Sequence, residues 1–256
     1  MKRLLTMLLA CLAFAAQAQT IRVAATPVPH AEILEFVKPI LAGQGITLEI
    51  RVFTDYVQPN IQVAEGRLEA NFFQHQPYLD EFNRSKGTSL VSLAGVHVEP
   101  FGAYSARINA LSELKQGAQV AMPNDATNGG RALLLLQAAG LVQLEPDAGI
   151  TASAGDIAEN PQRIRIRELE AATLPRILKQ VDLALINTNY ALEAGLNPVE
   201  DALLIEGADS PYVNILVGRE DGRNNRALQA LVAALRAEQT REFILEKYRG
   251  AVVPAF

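Results

Sequence analysis

Residues 21–52 read IRVAATPVPHAEILEFVKPILAGQGITLEIRV and carry one complete strand–helix–strand unit. Ile21 to Ala25 is a short strand that Thr26-Pro27-Val28-Pro29 breaks. Ile33, Leu34, Val37, Ile40 and Leu41 then recur at helical spacing from about Ala31 to Ala42, and Gly43 is a stop. Ile46, Leu48, Ile50 and Val52 alternate with Thr47, Glu49 and Arg51, the period of a second strand. A strand, a helix and a strand in that order imply a right-handed parallel crossover and an α/β sheet.

The pattern continues downstream. Thr54 to Pro59 ends the second strand and leads into a helix near 59–66. Ala70 to Phe73 is a candidate third strand, followed by a helix near 76–85 that Lys86-Gly87 closes. Leu90 to Val98 is strand-like. Around Pro100 to Ser105 the alternation restarts. A short helix at 111–115 comes first, then a strand at 118–122, a helix at 132–139 and a strand at 163–169. A helix at 173–179, a strand at 181–186 and a helix from Asn187 to Gly195 complete this set. Late strands at 203–205 and 212–217 precede helices near 225–237 and 240–248. Two α/β lobes joined by two crossings, near 101–105 and 207–214, account for this order. The expected division is 19–102 with 212–256 in one lobe and 103–211 in the other. In open α/β sheets ligands bind beyond the carboxyl ends of strands, and often between domains.

The first 18 residues form a secretion signal. Lys2 and Arg3 are its basic start, Leu4 to Ala15 its apolar run, and Ala16-Gln17-Ala18 a small-x-small cleavage site. The run is too short to span a bilayer of about 30 Å. Cys11, the only cysteine, lies inside it. Leu8-Leu9-Ala10-Cys11 resembles a lipoprotein box, but Leu12-Ala13-Phe14 after it is apolar rather than a polar tether. The expectation is therefore a soluble periplasmic product starting at Gln19, without a disulfide. Loss of Lys2 and Arg3 takes the formal charge from −5 to −7. That balance provides no basic footprint for nucleic acid.

No Gly-x-Ser-x-Gly elbow, phosphate loop or dinucleotide fingerprint is present, so neither an enzyme nor a cofactor is expected. Four polar or aromatic stretches lie at strand ends instead. Asn71-Phe72-Phe73-Gln74-His75-Gln76-Pro77-Tyr78 packs three aromatic rings and an imidazole into eight residues of a chain that is 6% aromatic. Such density fits either a core or one wall of a pocket. Arg131 lies in the first turn of the expected helix, after Gly129-Gly130, which would let backbone approach a ligand closely. There the free N–H groups favour an anion and the guanidinium matches a carboxylate. Asn187 and Asn214 stand where apolar residues would be expected, and a buried amide must bond either backbone or ligand. A separate reading gathers His30, His75 and His97, with Glu99, into a zinc site of an exported metal carrier.

Five motifs, in order, resemble the NlpA-type methionine-binding components of ABC importers. They are Asp55-Tyr56-Val57-Gln58-Pro59-Asn60, Asn71 to Leu79, Pro123 to Arg131, Ile186-Asn187-Thr188-Asn189-Tyr190 and Ser210-Pro211-Tyr212-Val213-Asn214. The resemblance implies a periplasmic binding protein of the type II-like fold, its two lobes closing on one methionine or a related small amino acid. It implies delivery, by a monomer, to an inner-membrane permease driven by a cytoplasmic ATPase. By motif match, Tyr56, Phe73, His75 and Tyr78 would line the first lobe. Arg131 would hold the ligand carboxylate with Asn128 close by, and Asn187 and Asn214 would bond its polar end. Within the aromatic stretch, Phe73 and Tyr78 would form an apolar wall, His75 a polar contact, and Phe72 would face the core.

Overall fold

The computed structural model describes residues 19–207 and 210–256. The export signal, its cleavage point after Ala18 and Cys11 lie outside the described residues. The opening unit is as the alternation requires. β1 (Gln19–Ala25), α1 (Glu32–Ala42) and β2 (Ile46–Val52) form a parallel crossover, with Ile21 opposite Leu48 and Val23 opposite Ile50. Ile33, Leu34, Val37 and Leu41 form the buried stripe of α1. Each such side chain contributes about 1.5–3 kcal/mol on burial.

α2 (Gln58–Ala64), β3 (Ala70–His75), α3 (Gln76–Lys86) and β4 (Val91–Val98) continue the first lobe. Gly87 closes α3 at φ 65°, a conformation that favours glycine. The chain then crosses at 99–101 into a second sheet through β5 (Gly102–Tyr104). β6 (Gln119–Pro123), α4 (Ala126–Ala138), the β7 (Gln143–Leu144) and β8 (Ile157–Glu159) ribbon, and β9 (Arg165–Leu169) follow. β10 (Leu183–Ile186), α5 (Thr188–Glu193), α6 (Pro198–Asp201) and β11 (Leu204–Ile205) complete the second lobe. β12 (Val213–Gly218) lies back in the first sheet. α7 (Arg226–Leu235), α8 (Glu238–Tyr248) and β13 (Val253–Pro254) end the chain.

The first sheet has the order β13-β4-β12-β3-β1-β2 and the second β11-β5-β10-β6-β9. Each is built on three parallel strands, and each receives the strand that follows a crossing in antiparallel sense. The two C-terminal helices pack into the first lobe. α7 and α8 bury Leu228, Leu231, Leu235 and Ile244 in the same core as α1 and β1. Phe72 lies in that core, fully buried, as expected of it.

Candidate ligand-binding site

The carboxyl ends of β3, β6 and β10 face one another across the cleft, enclosing with their loops a cavity of about 330 Å3, counting its mouth. All eight residues expected at a ligand site line it: Tyr56, Phe73, His75, Tyr78, Asn128, Arg131, Asn187 and Asn214. Gln74, Glu99, Thr188 and Asn189 line it too. Glu99 was legible only as a companion of histidines. Asn189 sits in a quoted motif, where a third polar residue two positions beyond Asn187 was the available signal.

The apolar wall comes from the first lobe. The Tyr56 ring lies 5.8 Å from both Phe73 and Tyr78, and the Tyr78 hydroxyl donates to the Tyr56 carbonyl at 3.0 Å. His75 ends β3 and caps α3. Its Nδ1 accepts the Tyr78 N–H at 3.2 Å, so Nε2 carries the proton and donates to Asn128 Oδ1 at 3.1 Å. Burial, and then the Arg131 charge, holds its pKa down at about 3, so the ring is neutral. Asn128 also accepts from Asn187 Nδ2 at 2.8 Å and gives its own amide hydrogens to Asp125. Asn187 Oδ1 and Asn189 Nδ2 are buried without a partner among the described residues. Buried polar atoms of this kind are rare, and in a cavity wall they are suited to a polar ligand.

Two corrections concern Arg131. It stands in the second turn of α4, not the first, because the helix starts at Ala126 behind Asp125, whose carboxylate accepts the Asn128 N–H at 2.9 Å. That cap already occupies the helix N-terminus. Nor does Gly130 admit a ligand: a Cβ there would sit 2.2 Å from the Ile150 carbonyl oxygen, so the glycine lets a neighbouring loop pack on the helix. Arg131 is 3% exposed and paired through Nε with Glu206 Oε1 at 3.1 Å, through Nη2 with Glu206 Oε2, and with the Glu99 carbonyl at 2.8 Å. Nη1 makes no hydrogen bond among the described residues.

Glu99 lines the same cavity. His30 Nε2 lies 3.2 Å and His97 Nε2 2.9 Å from Glu99 Oε1, and the Asn189 N–H faces the carboxylate. His30 Nε2 also meets Asn214 Oδ1 at 3.0 Å, so it bears the proton, while Nδ1 pairs with the Thr26 hydroxyl at 2.7 Å. Burial holds His30 at about 4 and His97 at about 3. Burial raises the Glu99 pKa, against the pull of His30 and Arg131.

The three-histidine zinc set does not form. His30 and His97 lie against Phe72 and near Glu99, but His75 ends β3 facing the cleft and bonds Asn128 instead. Of the remaining three groups, His97 hydrogen-bonds Glu99, while His30 is hydrogen-bonded to Thr26 and Asn214 and bears a proton on the nitrogen nearest Glu99.

Comparison with known proteins identifies the family. The family model described as NlpA lipoprotein matches residues 21–256. The chain belongs to the NlpA lipoprotein family. Among NlpA relatives, the D-methionine-binding lipoprotein MetQ of Salmonella typhimurium is 44% identical over 211 residues, 82% of this chain and 78% of that protein. A nutrient-binding protein from Burkholderia cenocepacia, solved bound to methionine, superposes with a TM-score of 0.90 at 41% identity, covering 92% of this chain and all of that one. An ABC transporter periplasmic substrate-binding protein from Coxiella burnetii does so with 0.88 at 43%, covering 92% of this chain and all of that one. The NlpA chain therefore has the type II-like periplasmic binding protein fold expected of it.

Proposed function

We propose that this chain is the exported methionine-binding component of an ABC importer, acting as a monomer that hands its ligand to an inner-membrane permease with a cytoplasmic ATPase. One observation carries the reading: Arg131 and Glu99 line the same cavity, with an aromatic wall of Tyr56, Phe73 and Tyr78. A zwitterionic α-amino acid is complementary to that arrangement. Arg131 Nη1 takes the carboxylate, and the ammonium goes to Glu99 with the oxygens of Asn187 and Asn214 nearby. A thioether against Tyr56, Phe73 and Tyr78 gains about 0.3–1.5 kcal/mol per ring contact. The methionine named for the Salmonella and Burkholderia relatives supports the same choice.

Release from the membrane by cleavage after Ala18 belongs to this proposal, supported by the apolar Leu12-Ala13-Phe14 that follows Cys11. Mass spectrometry of natively purified protein tests both parts. Methionine is expected among the molecules released on denaturation, with an intact chain beginning at Gln19. A different stoichiometric ligand would overturn the specificity, and a lipid-modified Cys11 the soluble form.

A further inference from the structure

Arg131 belongs to α4, yet it is fixed by residues of the two interlobe crossings. From the first crossing, the Glu99 carbonyl accepts from Nη2 at 2.8 Å, and the Phe101 ring centre lies 5.2 Å from the guanidinium carbon. From the second, Glu206 takes Nε at 3.1 Å and Nη2 through its other oxygen, while the Tyr212 ring centre lies 4.2 Å away. Glu206 is itself held within its crossing, where the Ser210 hydroxyl donates to its Oε2 at 3.4 Å and accepts the Tyr212 N–H at 3.2 Å. Glu206 is not among the residues lining the cavity. It consumes the Nε edge of the fork and leaves Nη1 for a ligand.

We infer that Glu206 is a positioning residue for carboxylate recognition, acting through Arg131 and tying the orientation of that guanidinium to the arrangement of the hinge. The inference rests on the reading of Arg131 as the carboxylate anchor. With the crossings arranged as here, the planar fork is hydrogen-bonded to both crossings and lies against a ring from each. A change of hinge angle moves Glu99 and Phe101 relative to Glu206 and Tyr212, so these contacts come apart as the lobes separate. Carboxylate recognition and closure are then one event, as population-shift coupling requires of a ligand that stabilises the closed state.

Charge and geometry make opposite demands, which gives the test its sign. As a mere counter-ion, Glu206 repels the incoming carboxylate, and neutralising it would tighten binding. As a positioning group, its loss frees the guanidinium and weakens binding. The mature wild-type chain, Glu206→Gln and Glu206→Ala are titrated calorimetrically with methionine and with methioninol, which has an alcohol in place of the carboxylate. Methionine affinity is expected to fall about tenfold in Glu206→Gln and further in Glu206→Ala, with methioninol affinity held within about twofold throughout. Unchanged or tighter methionine binding in Glu206→Gln overturns the inference, as does equal weakening of both ligands, which marks a purely structural role. Should Glu206→Ala fail to fold, the isosteric Glu206→Gln decides alone. Absence of methionine binding by the wild type overturns the underlying reading instead, and is distinguishable from all of these.

Discussion

Removing one hydroxyl, Tyr56→Phe, asks whether direct bonds between the lobes hold the cleft shut. Tyr56 lies in the loop after β2, and its hydroxyl donates to Asn189 Oδ1 on α5 at 2.6 Å. The phenylalanine ring keeps its place beside Phe73 at 5.8 Å and Tyr190 at 5.1 Å, so the apolar wall survives. What is lost is one hydrogen bond, together with the partner of an acceptor on a residue only 3% exposed. Stranding a buried acceptor costs about 1–3 kcal/mol. Taking about 2 kcal/mol, and a factor of ten for each 1.4 kcal/mol, methionine affinity falls about 30-fold. The bond spans two lobes with separate cores, so the loss falls on the closed arrangement and emerges in the dissociation rate. Calorimetry gives the affinity, stopped-flow fluorescence the rate, and denaturant melts of ligand-free protein the stability. Wild-type affinity in the variant refutes the reasoning. A loss of ligand-free stability as large as the loss of affinity also refutes it, by placing the bond in the fold rather than in closure.

Acid is expected to destabilise the folded chain. His30, His75 and His97 are held at about 4, 3 and 3 by burial, against about 6.5 when unfolded. Between pH 6.5 and 4 the unfolded chain binds protons that the folded one refuses. Stability therefore drops as pH falls, by about 1.4 kcal/mol per pH unit for each histidine that stays neutral. Glu99, whose pKa burial raises, works in the opposite sense. A urea midpoint at pH 5 equal to or above that at pH 7 would sink the neutral assignments. Gly130→Ala places a Cβ 2.2 Å from the Ile150 oxygen and 2.9 Å from the Ala152 nitrogen, both backbone. It is expected to cost at least about 2 kcal/mol, lowering Tm by about 4–8 °C in calorimetric scans. An unchanged Tm would show that the 150–152 loop yields freely.

The lobes were legible because their longer elements announce themselves by period. Ile46 to Val52 alternates, α1 repeats its apolar residues at helical spacing, and short turns separate them. The start of α4 was not legible. Asn124 to Arg131 is rich in polar residues and glycine, which favour loops, and only tertiary packing, of residues 150–152 on Gly130 and of the Pro123 carbonyl on Gly129, reveals why two glycines stand inside a helix. β7, β8, β11 and β13 are two or three residues long, too short for a period to register. The candidate site divides in the same way. Its aromatic wall and Arg131 stand out by residue type at strand ends. Glu99 and Glu206 do not: both are glutamates in a chain with 28 acidic residues, and only the crossings bring them to the same guanidinium. The zinc reading failed for a related reason. Sequence places three histidines near strand ends, but not on which side of β3 each one falls.

The claim that Arg131 and Glu99 in this cleft recognise a methionine zwitterion is tested most directly by calorimetric titration of refolded, ligand-free protein. Methionine has roughly nine non-hydrogen atoms, which at a best-case −1.5 kcal/mol per atom sets a ceiling near −13 kcal/mol and admits nanomolar affinity. Stoichiometric heat is expected from the wild type, and Arg131→Ala is expected to bind more weakly by more than about 2 kcal/mol because the ligand carboxylate loses its partner. No heat with either enantiomer of methionine, or wild-type affinity in Arg131→Ala, would contradict it.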